Sequence, residues 1–491
     1  MPNTLSRLIR LAFLICLWLL ITSTAADPDL WGHLRFGLDL LRSGVIPRHD
    51  PYSFTADRLW VNHEWLSEWL LAVAYRVGGA SGLNVLKLGV IAVIAWVVVK
   101  TAREEGASDS ARDGLVFLTI FATYTRTQVL RPQLFSVGLF CVILYLIRTI
   151  DRGGRRAVWA LPVCFALWVN LHGAWIVGLA AVGSWICGSI AERPGWRVAV
   201  LLIVTGVLCA AATLMNPYGV SLWRFVFETV RPARADISDW KPLLALPAGV
   251  LVIEAILPTV AVIAWRKSGR PVPFRYLVVL LVLVAATFKV GRVDAFAQAA
   301  IALFLAPQIL CGLTLVAARL RAPFWRRPLP FAPVAAMPLA IGFLAGAWQL
   351  REVTVEGAWI PDPPAALYLR EHAARARVLT WFDWGEYAIW QLSSAGIRVS
   401  IDGRRETAYS TAIVQEHYAF YHAEPGELDY PRRIGADCIW LPVDTPAVEP
   451  LQRNGWNIVF RSARSVVLAK TPAELYRVAD DFESQRRFPW P

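Results

Sequence analysis

A chain of 491 residues that is 56% hydrophobic and only 18% charged, with a mean hydropathy of +0.46, exceeds the apolar share of a soluble domain. Its net charge of +12 would suit a nucleic-acid partner, but Arg and Lys gather at the ends of apolar runs and form no basic, aromatic-interleaved face, which excludes that partner. Six of the seven cysteines (Cys16, Cys141, Cys164, Cys187, Cys209 and Cys311) lie inside apolar runs and none is paired at metal-ligand spacing, which argues against a disulfide framework or a zinc site.

Apolar runs near the length needed to cross about 30 Å of hydrocarbon recur over the first 350 residues and predict about eleven transmembrane helices. They fall near 8–26, 82–101, 113–126, 133–149, 157–172, 174–191, 197–215, 246–265, 275–290, 294–318 and 330–350. With the N-terminus cytoplasmic, the cytoplasmic loops collect the cations, among them Lys100, Arg103, Arg148, Arg152, Arg321, Arg326 and Arg327. The short external turns carry only Arg126, Arg131, Lys289 and Arg292, with none around His172, and the odd number of spans places the C-terminal part outside. Arg7, Arg10, the apolar core and Thr24-Ala25-Ala26 also resemble a cleavable signal peptide; the many later spans favour an uncleaved anchor.

The first external loop, 27–81, opens on Asp27-Pro28-Asp29, two carboxylates where the first span meets the outer interface. Negative charge is costly there unless it faces a cavity or a partner, so this pair leads the functional candidates; the alternative is that Asp29 caps the helix that follows. Leu30, Leu34, Leu38 and Leu41 recur at helical spacing with His33, Arg35, Asp39 and Arg42 between them, a pattern for an interfacial amphipathic helix. Pro47 and Pro51 punctuate a turn around Asp50, and residues 64–77 read as a second interfacial helix behind His63 and Glu64.

Further along, Arg126, Arg131, Lys289 and Arg292 are candidates for holding a phosphate or, alternatively, interfacial anchors; Arg292 stands out because its short external turn carries two cations against the orienting rule. His172 ends the fifth span, where hydrogen bonding to helix neighbours is the simpler role, and Glu254 is a carboxylate deep in an apolar run. A second external loop runs from Asn216 through a helix at Trp223–Val230 and the segment Asp236–Lys241.

From 351 to 491 the composition becomes that of a small α/β domain of about 140 residues. Strands are expected at Val378–Phe382, Arg398–Asp402, Cys438–Pro442, Trp456–Phe460 and Ser465–Ala469, the last two as a hairpin. Asp383-Trp384-Gly385-Glu386-Tyr387 and Asp402-Gly403-Arg404 follow strands, where acids either meet a ligand or cap helices and turns. No nucleotide-binding glycine loop is present.

The architecture and the first loop resemble the GT-C class of membrane glycosyltransferases, with Asp27-Pro28-Asp29 as the acidic motif. Asn62-His63-Glu64-Trp65-Leu66 stands in the place of that class's His-Pro-Pro-Leu-like segment. Asp29-Leu-Trp-Gly-His-Leu-Arg, Asp50-Pro-Tyr-Ser-Phe-Thr, Asn216-Pro-Tyr-Gly, Phe382-Asp-Trp-Gly-Glu-Tyr and Ile401-Asp-Gly-Arg are similar, more narrowly, to a group of bacterial membrane proteins related to it. The resemblance implies a polytopic α-helical domain over 1–350 and an extracytoplasmic α/β domain over 351–491. It implies transfer of a sugar from a polyprenyl-phosphate-linked donor to an extracytoplasmic acceptor at the bacterial plasma membrane. Such transfer needs a base for the acceptor hydroxyl and stabilisation of the departing phosphate. Asp27 and Asp29 are then the catalytic candidates, or the ligands of a divalent Mg or Mn ion. His33, His63, Glu64, Arg126, Arg131, His172, Lys289 and Arg292 are the substrate-contact candidates. A non-catalytic lipid- or glycan-binding protein is the alternative; a transporter is disfavoured because polar residues collect at external ends rather than at the midplane.

Overall fold

The computed structural model describes residues 4–230, 240–320, 332–355, 357, 359–471 and 476–477. Asp236, Arg321, Arg326 and Arg327 lie outside the described residues. Contacts group the chain into two units: Met1–Thr24 with Leu83–Arg351, and Ala25–Gly82 with Glu352–Pro491. The first loop, placed with the helical part by the sequence reading, thus folds with the C-terminal segment.

The first unit is built of helices. Among the described residues, three helices are long and apolar enough to cross a bilayer (Trp65–Glu104, Gln133–Asp151 and Ala248–Ser268), or four with one bent pair taken as a single span. Trp175–Ala191 and Trp196–Ala212 are apolar but shorter, at 17 residues each. On Trp196–Ala212, Leu202, Thr205, Cys209 and Ala212 form the buried face, while Val200, Ile203, Val204 and Val207 are exposed. An apolar helix with both an inward and an outward apolar face suits packing on one side and lipid on the other.

The break expected between residues 64–77 and the span from 82 is present: the stretch Trp65–Glu104 is two helices parted by non-helical backbone at Gly78 and at Gly79, whose φ of +56° favours glycine. The span read across 294–318 is instead two helices, Asp294–Phe304 and Ala306–Leu320, bent by 71°. Pro307 lacks the N–H that would bond Leu303 O and disfavours helix at the residue before it, and the liberated carbonyl accepts a hydrogen bond from Arg148 Nη1 at 2.7 Å. Arg148, expected to be a loop charge, is buried and also meets Glu105 Oε1 at 2.6 Å.

The second unit is centred on a six-stranded sheet. Its strands are β1 (Arg377–Thr380), β2 (Arg398–Val399), β3 (Cys438–Pro442), β4 (Asn457–Arg461), β5 (Ser465–Ala469) and β6 (Tyr476–Arg477), in the order β2-β1-β3-β5-β4-β6. β1 pairs in parallel with β2 and β3, whereas β4 and β5 form the expected antiparallel hairpin, with Ile439 opposite Leu468 where β5 meets β3. Leu379, Ile439, Leu441, Val466 and Leu468 project into a core closed by Phe420, Tyr421, Tyr430 and Trp456. The first loop joins this sheet at the backbone: Ser53 bridges Val399 in parallel, with Phe54 N bonded to Val399 O at 3.0 Å and Val399 N to Tyr52 O at 3.0 Å. A second bridge, Ala25 to Thr354, holds the chain just before Asp27.

Candidate functional site

Asp29 occupies the N-cap position of the Leu30–Ser43 helix, but its backbone is helical (φ −79°, ψ −16°) and its side chain makes no capping hydrogen bond. A capping Asp has extended backbone and accepts from an N–H of the first turn, so the simple capping role does not account for Asp29. Asp27, two residues earlier, is buried at 5% exposure, and its carbonyl accepts from Leu30 N at 3.3 Å.

One turn into that helix, His33 Nδ1 lies 3.4 Å from Glu68 Oε1 and Nε2 lies 4.0 Å from Glu64 Oε2. Glu68 also accepts from Asn62 Nδ2 at 2.6 Å, and His63 Nε2 is 3.5 Å from Glu64 Oε1. Burial pulls the His33 pKa down, but the Glu68 hydrogen bond and the charges of Glu64, Glu68 and Asp29 outweigh it and hold the ring above its ordinary value. His33, His63 and Glu64 are therefore brought together, and Glu68 joins them. Glu68 is not singled out by the sequence; its place one helical turn beyond Glu64 in the 64–77 helix is the signal that could have found it.

The C-terminal segment supplies the rest of this cluster. Asp402 is fully buried and accepts from Arg404 Nε at 2.8 Å, from Arg404 Nη2 at 2.7 Å and from Tyr409 OH at 2.6 Å. The same guanidinium forks onto Asp50, Nη1 to Oδ1 at 2.8 Å and Nη2 to Oδ2 at 2.7 Å. Phe36, Tyr52 and Trp60 surround it, with ring centroids 4.9, 5.5 and 4.7 Å away. Burial alone would raise the Asp402 pKa; Arg404 and Tyr409 reverse this and hold it below the usual carboxylate value. Glu386, in the first turn of the Gly385–Leu392 helix, differs. Burial, followed by the charges of Asp29 and Asp402, drives its pKa well above the ordinary value, opposed only in part by Arg404.

The remaining candidates belong to the helical unit. Arg126 forks onto buried Asp294, with Nε 3.0 Å from Oδ1 and Nη2 2.9 Å from Oδ2. Arg292 donates from Nε to Gln133 Oε1 at 3.4 Å and places Nη2 3.3 Å from His172 Nε2. His172 Nδ1 is 2.8 Å from Ser136 Oγ, which accepts from Trp168 Nε1 at 2.7 Å. Arg131 is half-buried in the turn before the Gln133–Asp151 helix, and Lys289 is exposed in the last turn of Phe274–Lys289, where a cation complements the helix dipole. Glu254 Oε2 accepts from Gln298 Nε2 at 2.7 Å.

Among the described residues, no group of three or more His, Cys, Asp or Glu side chains is arranged to hold a metal ion.

No family model matches the chain, and no curated protein matches it. Solved structures do. The oligosaccharyltransferase of Archaeoglobus fulgidus in its apo form aligns over 96% of this chain and 75% of its own, at 12% identity and a TM-score of 0.60. The AglB oligosaccharyltransferase of that organism, in complex with an inhibitory peptide and a dolichol-phosphate, aligns over 90% and 69%, at 12% identity and a TM-score of 0.60. ArnT of Cupriavidus metallidurans bound to undecaprenyl phosphate aligns over 96% and 99%, at 14% identity and a TM-score of 0.55. The chain is a membrane protein with the fold of the GT-C glycosyltransferases.

Proposed function

We propose that this protein is a glycosyltransferase of the bacterial plasma membrane that moves a sugar from a polyprenyl-phosphate-linked donor to an extracytoplasmic acceptor. In this reading about eleven helices cross the bilayer, the N-terminus is cytoplasmic and residues 351–491 lie outside. One observation carries the reading: the Asp29 carboxyl stands at the head of the first-loop helix without capping it, in a chain with the GT-C fold. The lipid phosphates bound to two of the structural neighbours support the donor class.

Asp29 acts as the general base. The acceptor hydroxyl gives its proton to the carboxylate and its oxygen bonds the sugar's anomeric carbon; the bond from that carbon to the phosphate oxygen breaks, and polyprenyl phosphate leaves. Asp27 supports Asp29 from the preceding turn, while His33, His63 and Glu64 contact the substrate. Arg292 offers its guanidinium to the phosphate, with Arg131, His172 and Lys289 as further contacts, while Arg126 is taken up by Asp294.

The test is sugar transfer in membranes from a panel of radiolabelled polyprenyl-phosphate donors, with and without a chelator. Native protein is compared with Asp27→Asn and Asp29→Asn at matched expression. Loss of transfer in either variant supports the reading, and equal transfer in all three removes these carboxylates from the chemistry. Silence across the panel together with retained lipid or glycan binding supports the non-catalytic alternative.

A further inference from the structure

Glu386 is a polar side chain in an unusual position. It is 97% buried (3% exposed), and its Oε2 has no hydrogen-bond partner among the described residues. Its carboxyl lies against the bare backbone of the Leu30–Ser43 helix, because a Cβ at Gly32 would collide with Oε2. A Cβ at Gly403 would collide with Asp29 Oδ1 and lie 3.0 Å from Glu386 Oε1. The two carboxyls therefore converge over a single glycine, between residues some 360 positions apart in the chain. Asp402 lies beside them, held by Arg404, and the charge of Glu68 reaches the same place. A buried carboxyl with an unmatched oxygen costs stability that an apolar residue of similar size would not, so packing alone gives no reason for an acid here.

We propose that Glu386 is a positioning residue for Asp29, fixing that carboxyl over Gly403 so that the C-terminal segment is a working part of the catalytic site. The inference rests on the reading of Asp29 as the base; the geometry of the pair does not. Glu386 acts through Asp29 and touches no reacting atom. Its neutral form, favoured by burial beside Asp29 and Asp402, makes Gln the conservative replacement.

Two readouts test it on the full-length protein in detergent. The first is labelling of Asp29, which is partly exposed, by a water-soluble carbodiimide with glycine ethyl ester, mapped by mass spectrometry. The second is the separation of kcat from KM for whichever donor supports transfer. Glu386→Ala is expected to raise Asp29 labelling about fivefold or more and to lower kcat about 100-fold with KM little changed, the cost of misplacing a catalytic group by about an ångström. Glu386→Gln should recover most of both losses. Gly403→Ala presses on Asp29 Oδ1 itself and so calibrates both readouts for a displaced Asp29 carboxyl. Glu386→Leu, which keeps the bulk of the side chain without the acid, should match Glu386→Ala and stands in for it if the latter does not fold.

Asp29 labelling and kcat that match the native protein in Glu386→Ala, or in Glu386→Leu where Ala does not fold, overturn the inference, as does a Gln variant as impaired as Ala. The two readings can fail separately. Labelling that responds in a protein that transfers nothing leaves the positioning role standing and removes the transferase. Transfer lost in Asp29→Asn but unaffected in the Glu386 variants does the reverse.

Discussion

In the helical unit, Arg126 is matched by buried Asp294, whereas Arg292 rests on the amide of Gln133 and the imidazole of His172, with no carboxylate partner among the described residues. The sheet unit repeats the contrast with the signs exchanged. Arg404 is held by Asp50 and Asp402 inside an aromatic enclosure, whereas Glu386 is surrounded mainly by charges of its own sign. A buried ion that is fully paired is part of the architecture, and removing its partner is destructive. A cation without a counter-charge has its field available to a substrate, whereas a buried acid among like charges keeps its proton and stays neutral. Sorting charges by pairing separates the candidates more sharply than sorting them by position in a loop.

The largest effect is expected at Asp29. A positioned general base contributes about 10²–10⁴ in rate, so Asp29→Asn should lower transfer by about three orders of magnitude while its melting temperature stays near that of the native protein. Transfer reduced less than tenfold would move Asp29 from chemistry to architecture. At Arg404 the expectation is the opposite. Arg404→Met leaves Asp50 and Asp402 buried without a cation and should cost about 3–5 kcal/mol, seen as a large fall in the thermal midpoint in detergent. Lys should not rescue it, because an ammonium cannot form two forks and stack among three rings.

The pattern of what could be read from the sequence follows from the same distinction. The strands of the sheet declared themselves through β-branched runs such as Ser465-Val-Val-Leu-Ala, which form β5 close to the expected limits. His33, His63 and Glu64 lie in one loop, so their proximity could be inferred from local spacing. Glu386, Asp402 and Arg404 could not be joined to Asp29 and Asp50 that way, since their meeting depends on tertiary pairing across some 350 residues. Asp-Gly-Arg looked like a turn, and it is also the point where Gly403 makes room for two carboxyls. The break at Pro307 was written in the chain but masked by the apolar run on either side. Arg148, read as a loop cation, is instead the donor that satisfies the carbonyl freed by that break.

A smaller effect should separate the two arginines of the helical unit. On the proposed reading Arg292→Gln removes a charge-assisted contact to phosphate, worth about 1.5–3 kcal/mol, and should raise KM for the lipid donor about 10–100-fold with little change in melting temperature. Arg126→Met should do the reverse, lowering the melting temperature because Asp294 is left unpaired, with a lesser effect on KM. If the two variants behave alike, pairing is not what distinguishes structural from functional charge in this unit.

The smallest expected effect is a pH dependence within the sheet unit. Asp402 has a folded pKa below its ordinary value, so it contributes stability at pH above that ordinary value and loses it as pH falls through the lower folded one. Glu386 has a folded pKa well above its ordinary value. Between those two values the folded state holds a proton that the unfolded state has released, and stability therefore falls as pH rises across that interval. Glu386→Gln cannot titrate and keeps the shape of the protonated acid. The melting temperature of this variant relative to the native protein should therefore climb as pH rises from about 4.5, and the gap should close again below that point. Replacing Asp402 should act at the other end of the scale, with its cost present at neutral pH and vanishing in acid. A Glu386→Gln difference that stays flat across this range would mean that Glu386 is already ionised in the folded protein, and that the region around Asp29 is less negative than its carboxyls imply.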